Sequence, residues 1–369
     1  MKKIKIHLIV ATRPNFVKAA PLLIKLDKQD WCEVKLIHTG QHYDQNMSKS
    51  FFLELNIREP NYFLAEIGVS HAEQTSNVML GYEKICKENF PDWTIVIGDV
   101  NSTLACSITA KKMNINLAHL ESGLRSFDRT MPEEINRIIT DSISDLHWAP
   151  SIDACENLLR EGVDKKKISF VGNIMIDSLK MKLPLIKKLK VYLDHKLIKR
   201  KYGVVTLHRP SNVDNLDKLK SIFETLSKIS TSIPLIIPLH PRTERNLKKL
   251  KNLVFLNNKN FIIIKSLSYS KFMNLILNSK FVVTDSGGIQ EESTFLKVKC
   301  FTLRNNTERP ITILEGTNEL VSVQNIEEKI NIYNKSKNVA KIRPKFWDGN
   351  TSIRIVKSLH RKIKEKKAI

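Results

Sequence analysis

Short apolar runs rich in β-branched residues alternate along the chain with longer stretches in which apolar residues recur every three to four positions. IKIHLIVA at 4–11 and FVVTDS at 281–286 are examples of the first kind, and NLDKLKSIFETLSKI at 215–229 is an example of the second. Continuous apolar runs of this length predict strands that are buried on both faces, whereas the three-to-four spacing predicts amphipathic helices. The predicted strands lie at 4–11, 34–39, 94–99, 116–121, 146–151, 168–173, 203–208, 234–240, 260–266, 281–286 and 299–304.

The alternation of strands and helices predicts an α/β fold. Buried strands joined by helical crossovers form parallel sheets that are covered by helices on both faces, which is the doubly wound arrangement. The lysine-rich stretch near 175–201 interrupts the alternation, so we place a domain boundary there, between a first domain at 1–175 and a second at 185–350. Open parallel sheets bind ligands at the carboxyl ends of their strands, and candidate functional residues are therefore sought at those ends.

Composition indicates a protein without membrane spans or disulfides. The chain of 369 residues is 42% hydrophobic and 27% charged, and it has no apolar run of about eighteen residues. Its first residues do not resemble a signal peptide, so we expect a cytoplasmic protein. The cysteines are odd in number and form no C-x-x-C pair, which predicts neither a zinc site nor a disulfide framework: Cys32, Cys86, Cys106, Cys155 and Cys300.

The formal net charge of +22 has two interpretations. A basic protein of this kind can bind a polyanion such as nucleic acid, or an anionic membrane surface. Alternatively, the excess reflects a general preference for lysine, concentrated at 180–201 and 361–369. Neither segment interleaves aromatic residues and glycines with its lysines, as a nucleic-acid platform does, and we therefore expect solvated lysines without a nucleic-acid or membrane partner.

The stretch VTDSGGIQEES at 283–293 has the chemistry of a nucleotide-binding turn. A predicted strand ends there and a helix begins, separated by three residues that expose backbone N–H groups and a hydroxyl: Ser286, Gly287 and Gly288. Such a turn cradles a diphosphate, and Glu291 and Glu292 lie about one turn into the helix, where a carboxylate is placed to accept hydrogen bonds from a ribose. The alternative is an ordinary tight turn in which first-turn glutamates favour the helix dipole, but its position at a strand end favours nucleotide binding.

Two histidines, His208 and His240, end neighbouring predicted strands in the second half of the chain. Histidine side chains titrate near neutral pH, so these two can contact phosphate or transfer protons; the alternative is a structural role. Because Arg209 closely follows the first and Arg242 the second, phosphate contacts are favoured. No carboxylate or cysteine lies at ligand spacing, so we expect no metal site.

The first predicted strand-to-helix turn, VATRPNFVKAAPL at 10–22, lacks the G-x-G-x-x-G pattern of dinucleotide-binding folds. We therefore expect no nicotinamide or flavin cofactor. Arg13 stands at the end of the strand and Pro14 opens the helix, which places a guanidinium beside a helix N-terminus that suits an anion. The alternative is an exposed arginine at a turn.

HLESGLRSFDRTMPEEINR at 119–137 is rich in charge but contains glycine and proline, which a salt-bridged surface helix avoids. Glu121 ends one predicted strand, Asp99 ends another, and Glu133 follows the proline of a helix start. Asp99 has a plain alternative role as a helix cap, and Glu133 with the adjacent Glu134 has one as a first-turn residue or a partner of Arg137. Three acids at such positions, in the half without the diphosphate cradle, nevertheless indicate an acid–base site that acts opposite an activated leaving group.

Ten blocks of the chain resemble, in order and spacing, the non-hydrolysing UDP-N-acetylglucosamine 2-epimerase family. PEEINR and DSGGIQEE are the most specific, and TRPNFVKAAPL, TGQHYD, GDVNSTLA, HRPSN, HPRT, TERP, EGT and WDGNTSIRIV accompany them. The resemblance implies two Rossmann-like domains of the glycosyltransferase-B type, with the active site between them. It also implies a homodimer, and a C-terminal helix at 351–369 that crosses back to the first domain.

The resemblance further implies roles for individual residues and a reaction. Carried over by position, the family's catalytic acids fall on Asp99, Glu121 and Glu133, with His208 beside the departing diphosphate. Its contacts with the UDP-sugar fall on Arg13, Lys18, His208, His240, Ser286, Gly287, Gly288 and Glu292. The implied reaction is epimerisation at C2 of a UDP-N-acetylhexosamine, a precursor of cell-surface polysaccharide, by elimination of UDP and its re-addition.

Some positions depart from the family pattern. Ala11 replaces the usual first-turn glycine, NTERPI replaces TTERPE, and GDVNST replaces GDTT. The last change, together with the loop at 126–131, suggests a sugar with other substituents, such as a 3-acetamido group or a uronate. The remaining alternatives are a UDP-sugar glycosyltransferase of the same fold, a hydrolysing 2-epimerase, and a basic nucleic-acid-binding protein.

Overall fold

The structure is a computed structural model, which describes residues 3–40, 52, 55–64, 68–250, 258–335 and 343–367. It divides into two compact units, the first made of Met1–Ser178 and Lys345–Ile369 and the second of Leu179–Pro344. Each unit is an α/β structure built on its own parallel sheet, and each places its strand ends, where ligands bind in such folds, at one edge of that sheet.

The first unit contains, within its described residues, a seven-stranded sheet in the order β3-β2-β1-β4-β5-β6-β7. Its strands are β1 (Ile4–Val10), β2 (Cys32–His38), β3 (Tyr62–Phe63), β4 (Trp93–Ile97), β5 (Asn116–Leu120), β6 (Leu146–Ala149) and β7 (Ile168–Phe170). Neighbouring strands pair in parallel, and the central ones are buried on both faces. The chain winds outward in opposite directions from β1 and β4, and such a reversal leaves a crevice at the carboxyl ends of the strands.

The helices that follow these strands are α1 (Arg13–Leu26), α2 (His71–Glu88), α3 (Asn101–Lys112), α4 (Pro132–Ile143), α5 (Ile152–Arg160) and α6 (Ile174–Lys188), with a short 3-10 helix at Lys165–Lys167. Helix α1 starts as the sequence predicts, with Pro14 in its first turn. The Asn15 side chain accepts hydrogen bonds from the backbone N–H and the hydroxyl of Thr12, which fixes the strand-to-helix turn. The division between the two units falls after Ser178, within helix α6.

The second unit contains, as far as the structure describes it, a six-stranded parallel sheet in the order β10-β9-β8-β11-β12-β13. Its strands are β8 (Gly203–Thr206), β9 (Leu235–Pro238), β10 (Phe261–Ile264), β11 (Phe281–Thr284), β12 (Lys299–Leu303) and β13 (Asn318–Val321). Its helices are α7 (Val191–Asp194), α8 (Pro210–Val213), α9 (Leu216–Ser230), α10 (Pro241–Leu247), α11 (Tyr269–Asn278), α12 (Gly287–Leu296), α13 (Ile311–Leu314) and α14 (Ile326–Lys335). The apolar face of α9, with Leu219, Ile222 and Phe223, is buried in the core of this unit, as its spacing predicts.

The α/β class and the parallel sheets predicted from the sequence are confirmed. The sequence does not predict β3, which has two residues, or β13, whose sequence NELV has two polar residues followed by two apolar ones. Both are edge strands, which need no continuous apolar run because they have a neighbour on one side only. Gly98 and Asp99, predicted to end a strand, lie in the turn after β4. Among the described helices, none has the length and apolar character needed to span a bilayer.

The last helix, α15 (Thr351–Lys367), belongs to the first unit, where Ile355 is buried in the same core cluster as β1 and α1. Its N-terminus is buried, and the carboxylate of Asp177 in α6 caps it. This carboxylate accepts hydrogen bonds from the Thr351 N–H (3.0 Å) and from the Ser352 N–H and hydroxyl (2.8 Å each). It therefore satisfies N–H groups that have no partner inside the helix, and its charge favours the helix dipole.

Replacing Asp177 by asparagine is expected to destabilise the protein by about 1–3 kcal/mol, because an amide NH₂ would then face donors that now share a buried carboxylate. The measurement is the free energy of unfolding of the full chain in urea at neutral pH. Asp217→Asn is the matched control, since Asp217 also lies in the first turn of a helix but is exposed; we expect a change below about 0.5 kcal/mol. Equal losses in the two variants would show that Asp177 does not act as a buried cap.

Candidate active site

In the first unit, Glu121 lies in the turn after β5 with one carboxylate oxygen held and the other unoccupied. Its backbone is left-handed (φ 73°) although it is not glycine, and its side chain is 4% exposed. Such backbone strain costs roughly 1–3 kcal/mol and persists only where the surroundings impose it. Oε2 forms an ion pair with Lys18 Nζ, whereas Oε1 is buried and has no hydrogen-bond partner among the described residues. The carboxylate therefore keeps one oxygen available for a ligand proton.

Asp99 lies in the neighbouring turn, after β4, and its position depends on Gly98. Gly98 is left-handed (φ 68°), and its N–H donates to the Leu120 carbonyl (2.9 Å), which ties the two turns together. A Cβ at Gly98 would lie 3.3 Å from Glu121 Oε2, so glycine is what allows the close approach. Asp99 Oδ2 accepts hydrogen bonds from Arg137 Nε (3.0 Å) and Nη2 (2.7 Å). The two acids thus extend from adjacent strand ends.

The first turn of α4 separates two adjacent glutamates into different environments. Glu133 is exposed and has neither a hydrogen bond nor an ion pair among the described residues. Glu134 is buried, pairs with Arg137, and accepts hydrogen bonds from the N–H groups of Ser126 (3.0 and 3.1 Å) and Phe127 (2.9 Å). The sequence indicates Arg137 as an ion-pair partner here, through its three-residue spacing from Glu134, but not that Glu134 holds the loop before α4.

Part of the predicted site lies outside the described residues. Arg13 begins α1, but its side chain is not among the parts of the chain that the structure describes. The TGQHYD block likewise continues past Gly40 into 41–50, outside the described ranges. Within those ranges, no group of three or more His, Cys, Asp or Glu side chains is arranged to hold a metal ion.

In the second unit, His208 and His240 lie side by side at the ends of β8 and β9, with ring centroids 5.3 Å apart. His208 Nδ1 donates to Asp285 Oδ1 (3.1 Å), which leaves Nε2 for a ligand. Asp285 is fully buried; burial raises its pKa, but hydrogen bonds from His208, the Arg209 N–H and Asn212 outweigh this and lower it. The sequence analysis misses Asp285, although it precedes the Ser-Gly-Gly turn directly.

His240 caps α10, because its Nδ1 accepts the Arg242 N–H (3.2 Å). Burial, together with the charge of His208, lowers the pKa of His240. A neutral ring whose Nδ1 accepts a hydrogen bond must carry its proton on Nε2, so His240 presents an N–H donor. Such a donor suits a phosphate oxygen, in agreement with the prediction of phosphate contacts.

The Ser286-Gly287-Gly288 turn opens α12 at the end of β11, at the position predicted from the sequence. Ser286 is the N-cap residue but makes no side-chain capping bond, so its hydroxyl is not used within the helix. A Cβ at Gly287 would lie 3.2 Å from Arg309 Nη1, which shows how closely a guanidinium lies against the turn. Helix N–H groups, a hydroxyl and a guanidinium therefore combine at one helix N-terminus, and this is the chemistry that binds a diphosphate.

The guanidinium of Arg309 belongs to a larger charged group centred on Glu308. The buried Glu308 contacts Arg304 twice (2.8 Å each), Arg209 (3.3 Å) and Arg309 (3.7 Å). Burial raises the pKa of Glu308, but hydrogen bonds from Arg304 and the charges of the other arginines hold it well below its usual range. Glu291 pairs with Arg309 Nε (2.7 Å), so three positive and two negative charges remain, an excess that attracts an anion.

Glu292 lies inside α12 and is 2% exposed. Burial and the neighbouring Glu291 raise its pKa to about 8, although the Tyr269 hydroxyl donates to Oε1 (2.6 Å) and lowers it in part. The side chain is therefore a neutral carboxylic acid at pH 7 that can both accept and donate a hydrogen bond. This suits a ribose hydroxyl, the contact that the position of the glutamates after the Ser-Gly-Gly turn predicts.

The chain is similar to UDP-sugar 2-epimerases over most of its length. A sequence model of the family described as UDP-N-acetylglucosamine 2-epimerase matches residues 24–360. A protein of Methanocaldococcus jannaschii named UDP-N-acetylglucosamine 2-epimerase is 41% identical, with 96% of this chain and 98% of that protein aligned. A Pseudomonas aeruginosa protein named UDP-2,3-diacetamido-2,3-dideoxy-D-glucuronate 2-epimerase is 37% identical, with 86% and 88% aligned. The crystal structure of M. jannaschii UDP-GlcNAc 2-epimerase in complex with UDP-GlcNAc and UDP matches with a TM-score of 0.87 at 40% identity, covering 97% of this chain and 100% of that one.

The raised pKa of Glu292 predicts a pH dependence of stability. The folded protein keeps the Glu292 proton up to about pH 8, whereas the unfolded chain loses it above the ordinary glutamate pKa of 4.5. The Glu292 contribution to the free energy of unfolding therefore falls between these pH values, by up to about 1.4 kcal/mol per pH unit. Glu292→Gln removes this term, so the variant gains stability relative to wild type as the pH rises from 5 to 8 in urea unfolding experiments.

Glu327→Gln is the control for this measurement, because Glu327 lies in the first turn of α14 and is exposed. Its unfolding free energy is expected to follow wild type at every pH. A constant difference between Glu292→Gln and wild type across this range would contradict the neutral, buried carboxylic acid.

Proposed function

The chain belongs to the UDP-N-acetylglucosamine 2-epimerase family, and we propose that it is an isomerase that inverts C2 of a UDP-N-acetylhexosamine by eliminating UDP and adding it back. The observation that carries this proposal is the buried Glu121 carboxylate, which has one oxygen paired with Lys18 and one without a partner among the described residues. A carboxylate held in this way is suited to remove a proton from carbon.

The reaction needs elimination because the hydrogen on C2 is scarcely acidic. C1 is an acetal carbon and offers no carbonyl group to stabilise a carbanion at C2. When the C1–O bond to UDP breaks, positive charge develops on the ring, and a carboxylate takes the C2 proton to leave a 2-acetamidoglucal. Return of a proton to the opposite face of C2, with UDP adding to C1, gives the epimer. Two faces require two proton-transferring groups, so more than one acid takes part.

We assign the proton transfers to the first unit. Glu121 and Asp99 extend from adjacent strand ends, tied together by the hydrogen bond from Gly98 to Leu120. Glu133 is exposed and unpaired among the described residues, which supports a role in contact with the sugar rather than in holding the fold. In contrast, Glu134 serves the structure, since it is buried and fully engaged.

We assign binding of UDP to the second unit. The Ser286-Gly287-Gly288 turn and Arg309 are suited to the diphosphate, with His208 and His240 as further donors. Positive charge in this unit stabilises UDP as it leaves with its electron pair, which lowers the barrier to breaking the C1–O bond. Glu292 is assigned to the ribose.

The sugar is UDP-N-acetylglucosamine or a substituted relative of it. The similarity to a protein named as a UDP-2,3-diacetamido-2,3-dideoxy-D-glucuronate 2-epimerase supports the second possibility, as does the loop at 126–131. Incubation with each UDP-sugar in turn distinguishes the two, because the true substrate is epimerised at the higher kcat/KM.

We further propose that the protein is a cytoplasmic homodimer. Its described cysteines are all free, and all but Cys155 are buried, which suits a reducing compartment. Light scattering of the purified protein measures its mass against the 42.4 kDa of one chain.

The proposed reaction predicts deuterium at C2. Wild type incubated with UDP-N-acetylglucosamine in D₂O is expected to give the manno epimer with deuterium at C2, detected by NMR. Glu121→Gln is expected to lower this exchange at least about 100-fold, because an amide cannot take the proton. Free UDP and free sugar would instead indicate hydrolysis. No exchange with UDP-N-acetylglucosamine or with the diacetamido uronate would refute the epimerase.

Gly287→Ala is expected to weaken binding of UDP about tenfold, equivalent to ~1.4 kcal/mol, because the added methyl group displaces the Arg309 guanidinium. Titration calorimetry with UDP measures this. Gly162→Ala is the control: Gly162 lies in the first unit and a Cβ there meets open space, so the substitution displaces no side chain and UDP binding stays as in wild type. Equal affinities in all three proteins would exclude the turn at Gly287 as the diphosphate site.

A further inference from the structure

Behind the turn that follows β5 lies a buried network whose centre is Asp141, a residue of α4 outside the proposed proton transfers. Its carboxylate accepts hydrogen bonds from His119 Nδ1 (2.6 Å), the Gly123 N–H (3.0 Å) and the Ser122 hydroxyl, and it pairs with Arg125 Nη2 (2.8 Å). Burial raises the pKa of Asp141, but the charge and hydrogen bond of His119, the nearby His147 ring and the charge of Arg125 hold it well below its usual range. Asp141 is therefore an ionised carboxylate that only accepts hydrogen bonds.

His119 lies between two acceptors. The ring is fully buried, with Nδ1 facing the Asp141 carboxylate and Nε2 located 2.8 Å from the carbonyl oxygen of Gly98. A carbonyl oxygen has no proton to donate, and neither does the ionised Asp141. Each ring nitrogen must therefore donate, which requires a proton on both, and the ring is an imidazolium.

The charges around His119 support the same conclusion. Arg125 also pairs with Glu161, through Nε (2.8 Å) and Nη2 (2.5 Å). With a protonated His119, the group contains two positive charges, His119 and Arg125, and two negative charges, Asp141 and Glu161. A neutral His119 would leave the largely buried group with an excess negative charge, which is costly away from water. His147 contacts the same group, with its Nδ1 2.8 Å from the Ser122 hydroxyl oxygen and 3.8 Å from Asp141 Oδ1.

The imidazolium connects the two turns that hold the acids. Its Nε2 binds the carbonyl of Gly98, which precedes Asp99, and its own strand continues through Leu120 into Glu121. Gly98 and Glu121 both have left-handed backbones, and Glu121 keeps this strained conformation only if its surroundings hold it. We propose that His119 is a buried imidazolium, fixed by Asp141, that positions Asp99 and Glu121; this positioning role rests on the reaction proposed above.

The protonation state has a direct test that does not depend on activity. The full chain is labelled with ¹⁵N-histidine, and the ring signals of His119 are assigned by their loss in His119→Asn. At pH 7 both ring nitrogens are expected to have the chemical shifts of protonated nitrogens and to couple to carbon-bound ring hydrogens as in an imidazolium. A shift typical of an unprotonated nitrogen at either position would overturn the proposal.

The positioning role is tested by two substitutions that each keep one hydrogen bond. The amide of His119→Asn reaches the place of Nδ1 and retains the donor to Asp141, whereas the amide of His119→Gln reaches the place of Nε2 and retains the donor to Gly98. Each variant breaks the connection between α4 and the Gly98 turn. We expect kcat to fall about 10- to 100-fold in both, since small displacements of reacting groups are costly, while KM and the affinity for UDP stay within about threefold of wild type.

Asp145→Asn is the matched control. Asp145 also binds β5, but at its opposite end, where it accepts the Leu117 N–H (2.8 Å) and pairs with Lys111. The kcat of the Asp145→Asn variant is expected to equal that of wild type. Losses of kcat no larger than in this control, or parallel losses of UDP affinity, would overturn the positioning role. If wild type itself epimerised no UDP-sugar, the proposed function and with it the positioning role would fail, while the ring signals would still decide the protonation state.

Discussion

A carboxylate can take a proton from carbon only if one of its oxygens is left unoccupied. Burial works against this condition, because a buried carboxylate normally gathers donors on both oxygens. In this protein Glu121 meets the condition through a strained backbone and through a single cation, Lys18, which pairs with only one of its two oxygens. The neighbouring Gly98 has no side chain to crowd Oε2, the Glu121 oxygen that is paired with Lys18. The rest of the first unit is arranged so that this turn keeps its conformation.

The two units divide the electrostatic work. In the proposed reaction, acids at the ends of β4 and β5 supply proton acceptors in the first unit, whereas the second unit gathers guanidinium groups around one buried carboxylate, Glu308. A leaving diphosphate gains most from positive charge that is already in place, because no reorganisation is needed when the bond breaks. Glu308 keeps this positive charge in place, since it holds Arg209 and Arg304 in position and adds only one negative charge.

Adjacent residues with the same chemistry have different roles, and burial decides which. Glu133 and Glu134 are neighbours in one helical turn, but a rotation of about 100° per residue turns one outward and the other into the protein. The buried Glu134 carboxylate accepts backbone N–H groups and pairs with Arg137, while the exposed Glu133 carboxylate remains available for a ligand. In the same way Asp141 and Asp99 are both paired with arginine, but only Asp99 is partly exposed.

The sequence by itself determines the α/β class, since continuous apolar runs can be satisfied only in covered parallel sheets, and it determines which turns carry acids, glycines and histidines. It could not reveal the contacts of Asp285 with His208, of Glu308 with Arg209 or of His119 with Asp141, because the two residues of each pair are distant in the chain. Those contacts arise when parallel strands bring their carboxyl ends to one edge. Protonation states and unoccupied oxygens also follow from tertiary structure, because they depend on how many donors surround a group and how much water is excluded.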